Sequence, residues 1–280
     1  MVSRLLSTLL LWAVILAGLW YFGAHAAVWL LAAIATLSLH EFYALTEKMG
    51  CAPFRWLGLL FCVLLIAAPY YVTEYMAGGE EFAGLAPALL AVAIVLCSIL
   101  SLGARDNGAR VGALAASVSG LVYIPFLLHY LVRILLLASD PTSGLLQCVW
   151  VVAVSKFCDV GALLTGLAIG RHKLAPTISP KKTWEGAVGG VVMSAGVGAA
   201  YAYYAADYMP EDMTPAVAAL LAMPLAVTTI VSDLIESSLK RRADSKDAGA
   251  LIPGIGGALD LSDSLILTAP VAYFIFLYLT

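Results

Sequence analysis

The side chains able to do chemistry crowd into one stretch, SSLKRRADSKDAGALIPGIGGALDLSDS, from Ser237 to Ser264. It holds Lys240, Arg241, Arg242 and Lys246 beside Asp244, Asp247, Asp260 and Asp263, in a chain that is 62% hydrophobic and 12% charged. Asp233 and Glu236 stand just before it. Charge concentrated beside apolar runs marks a site rather than a solubilising surface. Asp233, Glu236, Ser237 and Lys240 are spaced i, i+3, i+4 and i+7, one helical stripe of acid, acid, hydroxyl and ammonium. That mixed sign suits a metal–phosphate site. Asp260 and Asp263, at i and i+3, share a face where the next helix opens. Carboxylates with substrate phosphates are the usual way a protein holds Mg²⁺. The plainer role for these two is helix capping and pairing with the helix dipole. The turn Pro253-Gly254-Ile255-Gly256-Gly257 lets backbone approach a ligand or reverse sharply.

A second polar stretch, GRHKLAPTISPKKTWEG, runs from Gly170 to Gly186. Pro176 and Pro180 are expected to hold it open as a loop. Ser179, Lys181, Lys182 and Thr183 offer hydroxyls and ammonium groups just before Trp184-Glu185 enters a helix, a setting that suits phosphate oxygens. Ordinary topology and anionic headgroups account for the positive charge alone. They do not call for the Ser-Pro-Lys-Lys-Thr cluster. Upstream, Lys156 and Asp159 share a helix face at i and i+3. They form either a mutual ion pair turned into the bundle or, with Asp159 lining it, the wall of a polar cavity. Asp233, Asp260 and Asp263 for a metal, with two basic clusters for phosphates, equip the chain for phosphoryl or nucleotidyl transfer. Such catalysis is mainly positioning and charge neutralisation. A phosphate monoester is its own nucleophile. The scattered His25, His40, His129 and His172 offer no evident general base, and GxxxxGK[ST] and HExxH motifs are absent.

The elements that must hold these groups are apolar runs of about twenty residues, the length that crosses a bilayer core of about 30 Å. Mean hydropathy is +0.96. The expected class is an all-α polytopic membrane protein, since the runs do not alternate as barrel strands do. Nine spans are expected, at about 5–22, 26–47, 56–72, 84–102, 111–138, 146–169, 184–206, 214–236 and 262–279, with a kink at Pro125 in the fifth. Arg4 and Ala24-His25-Ala26 flank the first run as in a secretory signal, but its length exceeds the usual h-region, so a retained first helix is expected. Lys and Arg fall in alternate loops, and the loops between carry only acids. The positive-inside rule then places the N-terminus in the cytoplasm and the C-terminus outside, with the 170–183 and 237–261 segments cytoplasmic. One membrane domain is expected, about 1–145 as scaffold and about 146–280 as the catalytic half. Cys51, Cys62, Cys97, Cys148 and Cys158 are not spaced for a disulfide framework or zinc, and read as small buried hydrophobes. There is no basic domain for nucleic acid. No repeat between the halves supports an inverted-repeat transporter. Asp106-Asn107-Gly108-Ala109-Arg110 only mimics the DG-x-x-AR run of CDP-alcohol phosphotransferases.

Two long runs carry a resemblance. Ser237-x-Leu239-Lys240-Arg241, then Lys246-Asp247-x-Gly249, Ile252-Pro253-x-x-Gly256-Gly257, Asp260 and Asp263 resemble the signature of phosphatidate cytidylyltransferases, the CDP-diacylglycerol synthases. Asp159, Gly170 to Pro176 and Ile178 to Gly186 are similar to the same family. The sequence departs from it at Ile255, where the family has His, at Leu261, where it has Arg, and at Ala258. The resemblance implies a multi-pass enzyme of the cell (inner or plasma) membrane, its active site facing the cytoplasm. It implies CTP and phosphatidic acid as partners, Mg²⁺ as cofactor and CDP-diacylglycerol as product for phospholipid biosynthesis. A homodimer is admitted, with the oligomeric state left open. Asp233, Lys240, Asp260 and Asp263 are the expected catalytic residues, and Asp233, Asp260 and Asp263 the expected metal ligands. Asp159, Ser179, Lys181, Lys182, Thr183, Ser237, Arg241, Lys246 and Asp247 are expected to bind substrates. Two other readings stay open: a related CTP-dependent enzyme acting on a polyprenol or other lipid, and a transporter or scaffold without activity.

Overall fold

The apolar runs become helices. The computed structural model describes residues 2–76, 84–103, 107–245, 248–249 and 257–279. The helices are α1 (Val2–Lys48), α2 (Arg55–Tyr75), α3 (Leu85–Ser101), α4 (Asn107–Leu121), α5 (Leu127–Leu137), α6 (Pro141–Ile169), α7 (Trp184–Tyr204), α8 (Pro215–Arg242), α9 (Ala258–Ile266) and α10 (Thr268–Leu279). Among the described residues, seven helical stretches are long and apolar enough to cross a membrane, and Leu85–Ser101 is shorter. The expected all-α polytopic architecture is borne out.

The two first expected spans form one helical stretch, α1, broken at Gly23 (φ 52°, ψ −127°). A Cβ placed on Gly18 would lie 3.9 Å from the Ala26 Cβ. Eight residues of straight helix rise about 12 Å, so the chain doubles back at Gly23, where only glycine takes the positive φ freely. Pro125 does not end its helix. A π-turn over Val122–Phe126 carries the run from α4 into α5, absorbing the carbonyl that proline cannot bond. Asp140 caps α6, its carboxylate accepting from the N–H groups of Thr142 (2.9 Å) and Ser143 (3.0 Å). The Ser143 hydroxyl and N–H hold that carboxyl below its ordinary range. The polar loop after α6 departs from the open form expected. It is an antiparallel hairpin, β1 (Lys173–Ala175) against β2 (Ser179–Thr183), with an irregular register between Lys173 and Ala175.

The chain divides into two compact units, Met1–Val132 with Asp247–Leu261, and Arg133–Lys246 with Ser262–Thr280. The first is built around Tyr43, which is fully buried and donates to the Ser117 carbonyl at 3.0 Å. Helices α2 and α4 reach it through glycines: a Cβ on Gly58 would fall 2.3 Å from its hydroxyl, and one on Gly120 2.5 Å from its ring. In the second unit α6, α7 and α8 pack through small residues, as membrane helices do where lipid supplies no hydrophobic drive. A Cβ on Gly189 would lie 2.0 Å from Thr165 Oγ1. Trp150, buried, donates to the Gly198 carbonyl at 3.1 Å. Ser194 donates to the Val154 carbonyl at 2.8 Å.

Candidate active site

Helix α8 continues past the expected end of its span to Arg242, so the acid-and-ammonium stripe lies on unbroken helix. Ser237 Oγ donates to Asp233 Oδ1 at 3.3 Å. Lys240 Nζ pairs with Glu236 Oε2 at 2.5 Å, one turn apart and with the glutamate fully buried. These are the i, i+4 neighbours that the spacing requires. Lys182 reaches across from β2 to pair with Asp233. Strand residues alternate in direction, so the adjacent Lys181 faces the other way and is exposed. Arg241 leans on the hairpin from α8, its Nε donating to the Ile178 carbonyl at 3.4 Å.

Asp263 comes to this place on α9. It is buried, its Oδ1 accepts from the Ser264 N–H at 2.5 Å, and its carbonyl accepts from the Ser232 hydroxyl. Asp233, Glu236 and Asp263 each offer an oxygen within 4.8 Å of the others. Oxygen ligands sit at about 2.0–2.1 Å from Mg²⁺ and about 2.3–2.6 Å from Ca²⁺, so two ligands of one ion lie roughly 3–5 Å apart. The three carboxylates fit a hard divalent cation. Lys156, on α6, donates to Ser264 Oγ at 2.6 Å. Asp159 also bonds Ser264 and lies within electrostatic reach of Lys156, Asp233 and Lys182. The side chains of Asp159, Asp233, Glu236 and Asp263 thus interleave with those of Lys156, Lys182 and Lys240. That arrangement can grip phosphates and a cation together.

The hairpin is locked at its base. Glu185 accepts from the backbone N–H of Arg171 (3.1 Å) and His172 (3.2 Å) and meets His172 Nδ1 at 2.6 Å. Thr183 is buried and caps α7, its hydroxyl accepting from the Gly186 N–H at 3.1 Å. A Cβ on Gly170 would strike the Gly166 carbonyl at 2.3 Å and the Thr183 hydroxyl at 2.8 Å. The end of α6 and the start of α7 therefore meet only through glycine. Ser179 opens β2 and is half-buried. Alongside runs an apolar groove of 830 Å³ lined by α6 and α7, with Thr165, Ile169, Val188, Val192 and Gly196 among its walls and Trp184 and Glu185 also lining it.

In the first unit, Asp260 Oδ2 accepts from the N–H of Gly257 at 2.9 Å and of Ala248 at 3.3 Å. That is the capping geometry weighed as its plainer role. Glu236 stands in the α8 stripe, but only the fold makes it a candidate ligand, since nothing in sequence spacing says that Asp263 arrives beside it. Lys246 and Asp247, and the Ile252 to Gly256 part of the signature with Ile255, lie outside the described residues.

Residues 2–279 match the model of the Cytidylyltransferase family. A phosphatidate cytidylyltransferase of Synechocystis sp. is 29% identical over 296 residues, covering 98% of this chain and 94% of that protein. One from Rickettsia bellii is 38% identical over 159 residues, 56% of this chain and 67% of that protein. Another, from Haemophilus influenzae, is 35% identical over 139 residues, 50% of this chain and 48% of that protein.

Proposed function

The chain belongs to the Cytidylyltransferase family, and on that premise we propose that it converts CTP and phosphatidic acid to CDP-diacylglycerol and pyrophosphate. The observation that carries the reading is the group Asp233, Glu236 and Asp263 with Lys182 and Lys240 paired into it. A phosphate oxygen of the lipid attacks the α-phosphorus of CTP. The bond from that phosphorus to the bridging oxygen breaks, and pyrophosphate leaves with the electron pair. Both reactants are polyanions, so the site has to hold them together and take up charge on the leaving group.

Lys182 and Lys240 stand against carboxylates. They are the ammonium groups that would meet the phosphates, and the carboxylates they pair with are those that would hold a cation. Asp233, Glu236 and Asp263 are the residues that would hold Mg²⁺, which would offset negative charge on the transferred and leaving phosphates. Asp260, Lys246 and Asp247 remain assigned by the resemblance, Asp260 to the metal and the other two to substrate. Lys181, Arg241, Ser179 and Ser237 border the cluster as phosphate contacts. Thr183 acts through the cap it makes on α7. Asp159, with Lys156, lines the polar floor. The apolar groove of α6 and α7 takes an acyl chain of the lipid from the side, while the headgroup turns in toward Lys182.

The orientation rests on the alternation of basic and acidic loops: nine crossings, N-terminus cytoplasmic, C-terminus outside, and the site at the cytoplasmic face of the cell membrane. The reversal at Gly23 supports counting the first two runs as separate crossings.

The test is purified protein with radiolabelled CTP and phosphatidate, with and without Mg²⁺. CDP-diacylglycerol formed only with the cation is the expected result. Label appearing on a polyprenol phosphate but not on phosphatidate, or no transfer at all, overturns the assignment.

A further inference from the structure

Glu41 lies on α1, about two hundred residues before the signature, in the half of the chain that composition marks as scaffold. It is only 4% exposed. A carboxylate so placed in a helical membrane bundle is costly unless something uses it. Its Oε2 accepts from the Leu259 N–H at 2.9 Å. Leu259 is the second residue of α9, so Glu41 supplies a negative group to one of the open N–H donors at a positive helix end. Among the described residues its other oxygen, Oε1, has no hydrogen-bond partner. That oxygen is pressed on Gly249: a Cβ there would fall 2.1 Å from it, and the three nearest atoms all belong to Glu41. A Cβ on Gly257 would lie 2.4 Å from Oε2 and 2.8 Å from the Gly249 nitrogen. Gly249 and Gly257 are therefore in backbone contact at the two ends of the 250–256 segment, with the Glu41 carboxylate laid over both. Asp260 ties the same two ends through Ala248 and Gly257.

We propose that Glu41 is a positioning residue for the reaction, a clasp that holds Gly249 against Gly257 and fixes the first turn of α9. That turn carries Asp260, in the same unit, so the clasp sets where that carboxylate stands. Glu41 touches neither substrate nor the transferred group. A side chain at Gly257 would meet the Gly249 nitrogen, and one at Gly249 would push the Glu41 carboxylate out of the clasp. This rests on the cytidylyl-transfer reading only for its activity readout.

Two measurements test it. In the first, Glu41→Ala lowers kcat by about 10²-fold, the scale of a misplaced catalytic group, and raises the Mg²⁺ concentration for half activity by about 10-fold. A smaller fraction of folded enzyme changes the first quantity but not the second. Glu41→Gln keeps an acceptor for Leu259 and restores both to within about 3-fold of wild type. The second measurement needs no activity. Gly249→Ala lowers the melting temperature in detergent by several degrees through its collision with Glu41. In the Glu41→Asp background the carboxylate is drawn back by about 1.5 Å, and the same glycine change then costs almost nothing, a coupling that separate sites do not show. The proposal is overturned if Gly249→Ala costs as much in the Glu41→Asp background as in wild type, or if a stably folded Glu41→Ala keeps wild-type kcat and Mg²⁺ dependence. If Glu41→Ala cannot be purified, the melting cycle decides alone. Wild-type protein without cytidylyl transfer would count against the proposed function, and the melting cycle would still read the clasp.

Discussion

Asp263→Asn removes one of three carboxylates whose oxygens lie within 4.8 Å of one another and leaves the side-chain shape almost unchanged. At 4.8 Å and an effective dielectric of about 20, two carboxylates repel by about 3.5 kcal/mol. Asp263 faces two such neighbours, but Lys182 on Asp233 and Lys240 on Glu236 offset most of that repulsion. The relief left is on the order of 1 kcal/mol, which corresponds to roughly 2–4 °C in melting temperature for a chain of this size class. With chelator present, Asp263→Asn should therefore melt slightly above wild type. With Mg²⁺ present the order should reverse. The concentration of Mg²⁺ that half-stabilises the protein should rise at least about 10-fold, since even groups behind the ligands are worth that much. CTP-dependent turnover should fall by at least about 10²-fold, because a metal contributes several kcal/mol of charge stabilisation. The assay is a thermal-melt titration of purified protein with Mg²⁺ from zero to tens of millimolar, run beside the labelled-CTP reaction. An unchanged Mg²⁺ midpoint together with an unchanged melt in chelator would refute the cluster as a cation site.

Two further predictions follow from the same geometry. Lys182→Ala, which takes the partner from Asp233, should lower kcat/KM for CTP about 10-fold more than Lys181→Ala, because the two side chains leave β2 in opposite directions; equal losses in steady-state kinetics would deny that distinction. Gly196→Leu should enter the α6–α7 groove without strain, since no atom lies within 4 Å of a Cβ there, and leucine is the better helix former by about 1 kcal/mol. A chain in lipid gains no hydrophobic drive by entering the groove, so only fit is lost, about 1 kcal/mol, or about 5-fold in KM for long-chain phosphatidate. Dioctanoyl phosphatidate should be unaffected, and a uniform effect on both lipids would separate the groove from acyl binding.

The long helices were legible because a membrane span demands a run of apolar residues whatever its neighbours are. The α8 stripe was legible for the same reason, since Asp233, Glu236, Ser237 and Lys240 follow from helical spacing alone. The hairpin was not. Its strands are three and five residues long, too short to show alternation, and two prolines suggested an open loop. What closes it is Glu185 folding back on Arg171 and His172, a contact that no local pattern announces. Glu236 was in view but its use was hidden, because a ligand set is made by convergence and Asp263 comes from another helix. Thr183 shows the opposite case: a hydroxyl beside two lysines looked like a phosphate contact, and it is buried under its own helix N-terminus. Glu41 was least legible, a single acid near a helix end whose partner is more than two hundred positions away.

The discontinuity of the first unit, residues up to Val132 joined by Asp247–Leu261, has a consequence for how the chain is made. Translation at about 5–20 residues per second separates the two pieces by roughly ten seconds, during which residues 133–246 are threaded into the bilayer. Throughout that interval the Glu41 carboxylate has no Leu259 N–H to accept from. The nascent N-terminal helices must carry an unsatisfied acid, hydrated or attended by the insertion machinery, until the signature emerges. A ribosome stalled before Asp247 would leave those helices without the Leu259 N–H that the Glu41 carboxylate meets in the finished chain.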